Sequence, residues 1–193
     1  GTGLSSIPGL RNILAEIPDV HVWNRTKDKA VSLVGDLTNN IHKFDLKSLQ
    51  KELSRGDIVV SMLPGEWHIP IAKICIDHFA HFVSSSYISE EMQCLHEYAL
   101  ANNVTLMNEV GLDPGIDHLM AHFLVHDYKK SIAYDLDNEI DFVSYCGGIP
   151  KIPNEFCYKF SWSPRGVLKA LKSKARSIKD FQELVTERPW HQV

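Results

Sequence analysis

Asp113 is the side chain in this sequence best placed to do chemistry. It lies in the stretch Met107 to Ala121, MNEVGLDPGIDHLMA. There an apolar run from Val104 to Val110 ends at Gly111, and a helical pattern of Ile116, Leu119, Met120, Phe123 and Leu124 begins. A carboxylate at the carboxyl end of a parallel strand stands where open α/β sheets bind their ligands, and it can steady a cation or move a proton. Taken alone, Asp followed by Pro also writes a helix start, with an oxygen to accept a free N–H and then a ring that needs no partner. His118, His122 and His126 recur on the same helix beside Asp117, a spacing that can chelate a metal. No HExxH pattern accompanies them, so a face of satisfied or exposed histidines is expected and no metal.

Two other groups of residues suit a phosphorylated ligand. Gly1-Thr2-Gly3-Leu4-Ser5-Ser6 fits GxGxx(G/A) with serine in the third small position, and a helix pattern follows over Ile7 to Ile17. Such glycines let backbone approach a pyrophosphate at the positive end of a helix. About 20 residues further on, where NAD-preferring folds place an acid, the strand Val20 to Trp23 ends in Asn24-Arg25-Thr26. A guanidinium forks onto a phosphate, so the 2′-phosphate of NADP(H) is the better match. Asp45 lies in the next short strand, and Leu63-Pro64-Gly65 ends the one after, where a nicotinamide-side ribose would sit.

These residues need a scaffold, and the pattern supplies one. Helices are expected over Lys27 to Leu37, Lys47 to Ser54, Ile69 to Phe79 and Glu90 to Ala101. Strands are expected over Ile41 to Leu46, Asp57 to Pro64, His81 to Ser86 and Val104 to Val110, the second of them an unbroken apolar run of the buried parallel kind. Ser89 before Glu90 and Glu91 marks a helix cap. The fold class is therefore α/β, a Rossmann-like doubly wound parallel sheet over residues 1–130. After Lys130 the rhythm changes. Ser131 to Glu139 reads as a linker or hairpin, Ile140 to Cys146 and Phe156 to Trp162 alternate like strands, and Ser163-Pro164-Arg165 opens a basic helix through Lys174. Residues 131–193 read as part of a second α+β domain for substrate binding and dimerisation. Both ends look cut: a glycine turn expects a strand ahead of it, and Trp190 to Val193 carries no stop signal.

Composition narrows the partners. The 193 residues are 44% hydrophobic and 23% charged with net charge -4, signs interspersed, which favours neither nucleic acid nor an anionic membrane. No apolar run reaches the length of a membrane span, and GTGLSSIPGL has neither the basic start nor the apolar core of a signal peptide. Cys75, Cys94, Cys146 and Cys157 show no CxxC spacing and read as reduced thiols of a cytoplasmic protein.

Five motifs occur in order: SMLP at 61–64, SSYIS at 85–89, NEVGLDPGIDH at 108–118, SYCGG at 144–148 and YKFSWSPRGVL at 158–168. Together they resemble the glutamate-forming saccharopine dehydrogenases over about residues 1 to 173, leaving Ala175 to Val193 unplaced. The resemblance implies an NADP-dependent enzyme of lysine metabolism that interconverts saccharopine with L-glutamate and 2-aminoadipate 6-semialdehyde through an imine. It implies Tyr87, Asp113 and Cys146 near the reacting nitrogen. The expected cofactor contacts are completed by Ser86, Tyr87, Leu112, Asp113 and Pro114. Three substrate carboxylates call for cations and backbone donors, for which Lys159, Arg165 and the Tyr87-Ile88-Ser89 turn are candidates beside Asp113. A homodimer is expected. The alternatives are a carboxynorspermidine-type dehydrogenase, whose family carries the DPG element without the SYCGG and KFSWS pair, and a non-catalytic NADP-binding protein.

Overall fold

A computed structural model of the chain describes residues 1–3, 5–17, 19–145, 147–160 and 163–191. Leu4 and Cys146, both expected at the site, lie outside the described residues. The chain divides into two compact units, Gly1–Cys146 and Gly147–Val193.

In the first unit strand and helix alternate as the apolar spacing predicts. α1 (Ile7–Glu16) follows the glycine turn, then β1 (Val22–Asn24), α2 (Lys27–Val34), β2 (Ile41–Lys43) and α3 (Leu46–Glu52). β3 (Ile58–Ser61) leads through a tight turn, Gly65–Trp67, into α4 (His68–Asp77). β4 (His81–Ser84), α5 (Glu90–Gln93), α6 (His96–Ala101), β5 (Leu106–Met107) and α7 (Ile116–Lys130) complete it. β1 and β2 pair in parallel with Val22 opposite Ile41. β3, β4 and β5 form a second parallel set, Ile58 opposite His81 and Phe82 opposite Leu106. In the doubly wound order 3-2-1-4-5-6 these strands take places 3-2 and 4-5-6. Place 1, ahead of the glycine turn, has no strand among the described residues.

Two apolar clusters hold these layers. α4 presents Ile71, Ala72, Cys75 and Ile76 on one face, and they close over Phe82 of β4, all 1% exposed or less. Burying an isoleucine or phenylalanine side chain contributes roughly 1.5–3 kcal/mol. Burial also pushes the Cys75 thiol up to about 12, so it behaves as a small apolar group. Leu14, Val22, Ala30, Val34 and Ile41 make the other cluster between α1, α2 and the β1–β2 pair. Arg11 adds a bidentate bond to Asp36, at 2.8 and 2.6 Å, that ties α1 to the turn after α2.

The differences from expectation have physical causes. The last strand of the first unit stops at Met107 instead of reaching Val110, because Glu109 turns into the left-handed region, with φ 61°. The helix expected over Glu90 to Ala101 is two short pieces meeting at Cys94-Leu95. The alternation over 140–145 and 156–160 does not make strands among the described residues. Alternation needs a neighbouring ladder to satisfy its backbone, and among the described residues, 156–160 have instead a single backbone bond of this kind, Lys159 N–H to Gly148 O at 3.1 Å.

In the second unit α8 (Pro164–Ala170) starts at Ser163, whose hydroxyl accepts Gly166 N–H at 3.1 Å, and it ends short of the expected Lys174. The unplaced tail forms an antiparallel hairpin, β6 (Ala175–Lys179) with β7 (Gln182–Thr186), turning through Asp180 and Phe181 at φ 50° and 61°.

Candidate functional site at the strand tips

Tyr87 follows β4 and Asp113 follows β5, and because these strands are adjacent and parallel their exit loops emerge side by side. The Tyr87 hydroxyl donates to Asp113 Oδ1 at 2.6 Å, a short bond of the charge-assisted kind. That bond, and then burial and the charges of Asp113, Asp117 and Glu109, hold the phenol well above the ordinary tyrosine range. Tyr87 therefore stays protonated at neutral pH and presents its proton to a carboxylate.

The Asp113 loop is closed by its own backbone. Gly111 N–H donates to Pro114 O and Ile116 N–H to Gly111 O, both at 2.9 Å. A Cβ on Gly115 would lie 2.2 Å from Gly111 O, and its φ of 149° suits only glycine. Asp113 is not the helix cap that the Asp-Pro pair suggests. The cap position falls on Gly115, and the carboxylate that accepts a backbone N–H there is Asp117, from Gly115 at 2.7 Å. Burial acts to raise the Asp117 carboxyl, but the N–H bonds of Gly115 and His118 outweigh it and hold it low. Asp117 engages the N–H of the cap residue, and Asp113 is left to face Tyr87.

Three residues that pattern reading overlooked set the spacing of the two loops. The buried Ser84 hydroxyl donates to Asn108 Oδ1 at 3.0 Å. Glu109 Oε1 accepts the Ile88 N–H at 3.2 Å. A polar Asn-Glu pair at the end of an apolar strand was the available signal. Ser86 O accepts the Glu109 N–H at 3.1 Å, and the Ser89 hydroxyl is engaged as the α5 cap, accepting Met92 N–H at 3.2 Å.

On the glycine side, Asn24 joins two turns: its Oδ1 accepts Thr2 N–H at 3.2 Å and its Nδ2 donates to Thr26 O at 2.7 Å. This sets Arg25 next to the glycine turn, exposed and without an ion pair among the described residues. The Ser6 hydroxyl donates to Gly1 O and Gly3 O at 3.1 and 3.0 Å. A Cβ on Gly1 would meet nothing nearer than 4.0 Å, and on Gly3 nothing nearer than 3.6 Å. The protein leaves this turn open above its backbone, and the buried Thr2 Oγ1 has no partner among the described residues. Both features fit a cradle for phosphate, with Ser5 exposed on the same turn.

Asp45 accepts the Ser48 N–H at 2.9 Å as the cap of α3. Leu63 O takes a hydrogen bond from the buried His68 Nε2 at 3.0 Å, which fixes the Leu63-Pro64 turn. Lys159 and Arg165 belong to the second unit, and each is exposed. His118, His122 and His126 are exposed along α7, with His118 Nε2 3.6 Å from Asp117 Oδ2.

The parallel order, the glycine turn and the acid–phenol pair at the strand tips define a doubly wound domain of the dinucleotide-binding class. Family comparison goes further. The model described as the saccharopine dehydrogenase NADP binding domain matches residues 6–107, and that of the saccharopine dehydrogenase C-terminal domain matches residues 111–192. The chain belongs to the saccharopine dehydrogenase family, and the match takes in the tail that the motifs left unplaced. It is 39% identical over 187 residues to the saccharopine dehydrogenase [NADP(+), L-glutamate-forming] of Saccharomyces cerevisiae, covering 93% of this chain and 41% of that one. It is 41% identical over 137 residues to the alpha-aminoadipic semialdehyde synthase of Arabidopsis thaliana, covering 68% of this chain and 12% of that one. The solved apo saccharopine dehydrogenase (L-Glu forming) from Saccharomyces cerevisiae superposes with TM-score 0.68 at 29% identity, over 97% of this chain and 43% of that chain. The chain thus spans about two fifths of its yeast relative.

Proposed function

We propose that this chain carries the cofactor-binding and reacting groups of an NADP-dependent saccharopine dehydrogenase that releases L-glutamate. The observation that carries the reading is the Tyr87–Asp113 bond at the tips of adjacent parallel strands, in a chain of this family. NADP(H), when bound, takes or gives the hydride at the carbon beside the secondary amine. The open glycine turn Gly1 to Ser6 would hold the pyrophosphate, with Arg25 and Thr26 at the 2′-phosphate and Leu63-Pro64 at the nicotinamide-side ribose.

The remaining work belongs to the protein. In the oxidative direction the secondary amine gives up a proton and its neighbouring carbon a hydride, leaving an imine. Water adds to the imine carbon, and the carbinolamine collapses to L-glutamate and the semialdehyde. The charge of Asp113 would offset a protonated imine, and Tyr87 would donate hydrogen bonds to oxygen or nitrogen as the carbinolamine forms. Cys146 is the third expected proton carrier, and Lys159 and Arg165 are the expected carboxylate ligands. The same reading includes a homodimer in the cytoplasm.

The test is NADPH oxidation when purified full-length protein meets L-glutamate and 2-aminoadipate 6-semialdehyde, with saccharopine and carboxynorspermidine compared as donors in reverse. Turnover of saccharopine alone is expected. Preference for carboxynorspermidine moves the reading to polyamine chemistry, and NADPH binding without turnover of either donor makes the protein a binding module.

A further inference from the structure

Glu109 has a backbone and a side chain that each meet a different loop of the proposed site. Its φ of 61° puts a glutamate in the left-handed region, which non-glycine residues enter only when their surroundings hold them there. Its carboxylate reaches away from its own strand and accepts the Ile88 N–H at 3.2 Å, directly after Tyr87. Its N–H donates to Ser86 O at 3.1 Å, directly before Tyr87. Its carbonyl lies against Gly115, so close that a Cβ there would be 2.9 Å away. One residue therefore grips both sides of Tyr87 and supports the loop that carries Asp113.

We infer that Glu109 is a positioning residue, a latch between the two strand-exit loops whose side-chain hydrogen bond to Ile88 sets the Tyr87–Asp113 contact. The inference rests on the function proposed above only for its kinetic consequence; the geometric claim stands apart from it. The left-handed backbone aims the carboxylate across to the neighbouring loop, whereas a residue continuing the strand would send its side chain to one face of the sheet. The strand is cut short to make the bridge.

The experiment uses three variants of the full-length protein. Glu109→Ala removes the acceptor. Glu109→Gly removes it too but accepts the left-handed backbone without strain. Glu109→Gln loses the charge and keeps an oxygen that can accept the Ile88 N–H. The expected result is a fall in kcat of about tenfold or more for Ala and Gly alike, with NADPH affinity within about twofold, and recovery of most of the turnover in Gln. Gly should also melt no lower than Ala, so that lost activity cannot be laid to lost stability. The second readout needs no turnover: the ultraviolet titration of Tyr87, isolated by subtracting Tyr87→Phe in each background. Gln and Ala remove the same charge, so a phenol that ionises earlier in Ala than in Gln reports a loosened Tyr87–Asp113 bond. Equal titrations in Ala and Gln overturn the latch, whatever the enzyme's substrate proves to be. So does full activity in Glu109→Gly. Absence of saccharopine turnover in the unmodified protein overturns the proposed function and leaves the titration to decide the latch.

Discussion

A double-mutant cycle on Tyr87 and Asp113 tests whether the pair acts as a unit. Tyr87→Phe removes the donor and keeps the ring; Asp113→Asn removes the charge and keeps the shape. The bond is 2.6 Å long and its acceptor is a carboxylate oxygen. Hydrogen bonds to charged groups contribute about 1.5–3 kcal/mol net when shielded. Tyr87 is 64% exposed, so water screens the pair, and about 1 kcal/mol of coupling is the reasonable expectation. At about 1.4 kcal/mol per factor of ten, that is roughly a fivefold departure from multiplicative behaviour. Each single variant should lower kcat/KM by about 10²-fold, the low end for a positioned proton-carrying group. The double variant should then fall about fivefold less than the product of the two. The assay is NADPH formation from saccharopine, with melting curves confirming that all four proteins are folded. Single effects that multiply to within about twofold would mean that the bond is an incidental surface contact, and the argument for a joint proton site would fail.

Three further outcomes follow from the same geometry. Arg25→Ala should raise the KM for NADPH by about tenfold and leave that for NADH within about twofold, since only the 2′-phosphate needs the fork; equal effects on both cofactors refute the assignment. Gly115→Ala must place a Cβ 2.2 Å from Gly111 O at φ 149°, so the melting temperature should drop by several degrees for a cost of about 3 kcal/mol; an unchanged melt would refute the loop geometry. The Tyr87 phenol is raised first by its bond to Asp113, then by burial and neighbouring charge. Its contribution to stability is therefore complete below the unfolded tyrosine value of about 10 and is lost as pH climbs through the higher folded value. In Asp113→Asn the ultraviolet titration should slide back toward that ordinary value, and an unmoved titration would place Tyr87 elsewhere.

The parallel half of the chain was legible because its signals are local. Apolar runs of strand length alternate with helical spacing, and the core residues of α4 and β4 fall out of that periodicity. What escaped depends on partners or on unusual dihedrals. The β6–β7 turn carries Asp180-Phe181 at positive φ, where asparagine and glycine would have announced a hairpin. The alternation at 140–145 and 156–160 had the right period but no ladder beside it among the described residues. At the site, Asp113 and Tyr87 could be named from motifs, whereas Asn108, Glu109 and Asp117 could not, because their roles are set by which backbone N–H or hydroxyl each happens to face.

The pair also decides where its proton rests, and so which half of the chemistry each member can perform. An ordinary carboxylic acid is about six pKa units stronger than a phenol, and the bond between them widens that gap by raising Tyr87. The shared proton rests on the Tyr87 oxygen at neutral pH. Tyr87 can therefore give or share a proton but cannot take one from a substrate amine. In the proposed oxidation, whatever accepts the amine proton is Asp113 or a group outside the pair. In the reverse direction, a phenol already aimed at an anion is well placed to turn toward the oxygen of a carbinolamine about to leave as water. The proton given up as water leaves in reduction is handed back as water adds in oxidation, so Tyr87→Phe should lower kcat/KM in both directions together, by about 10²-fold. Rates within about twofold of the unmodified protein in both directions would make Tyr87 a spacer for Asp113 rather than a donor.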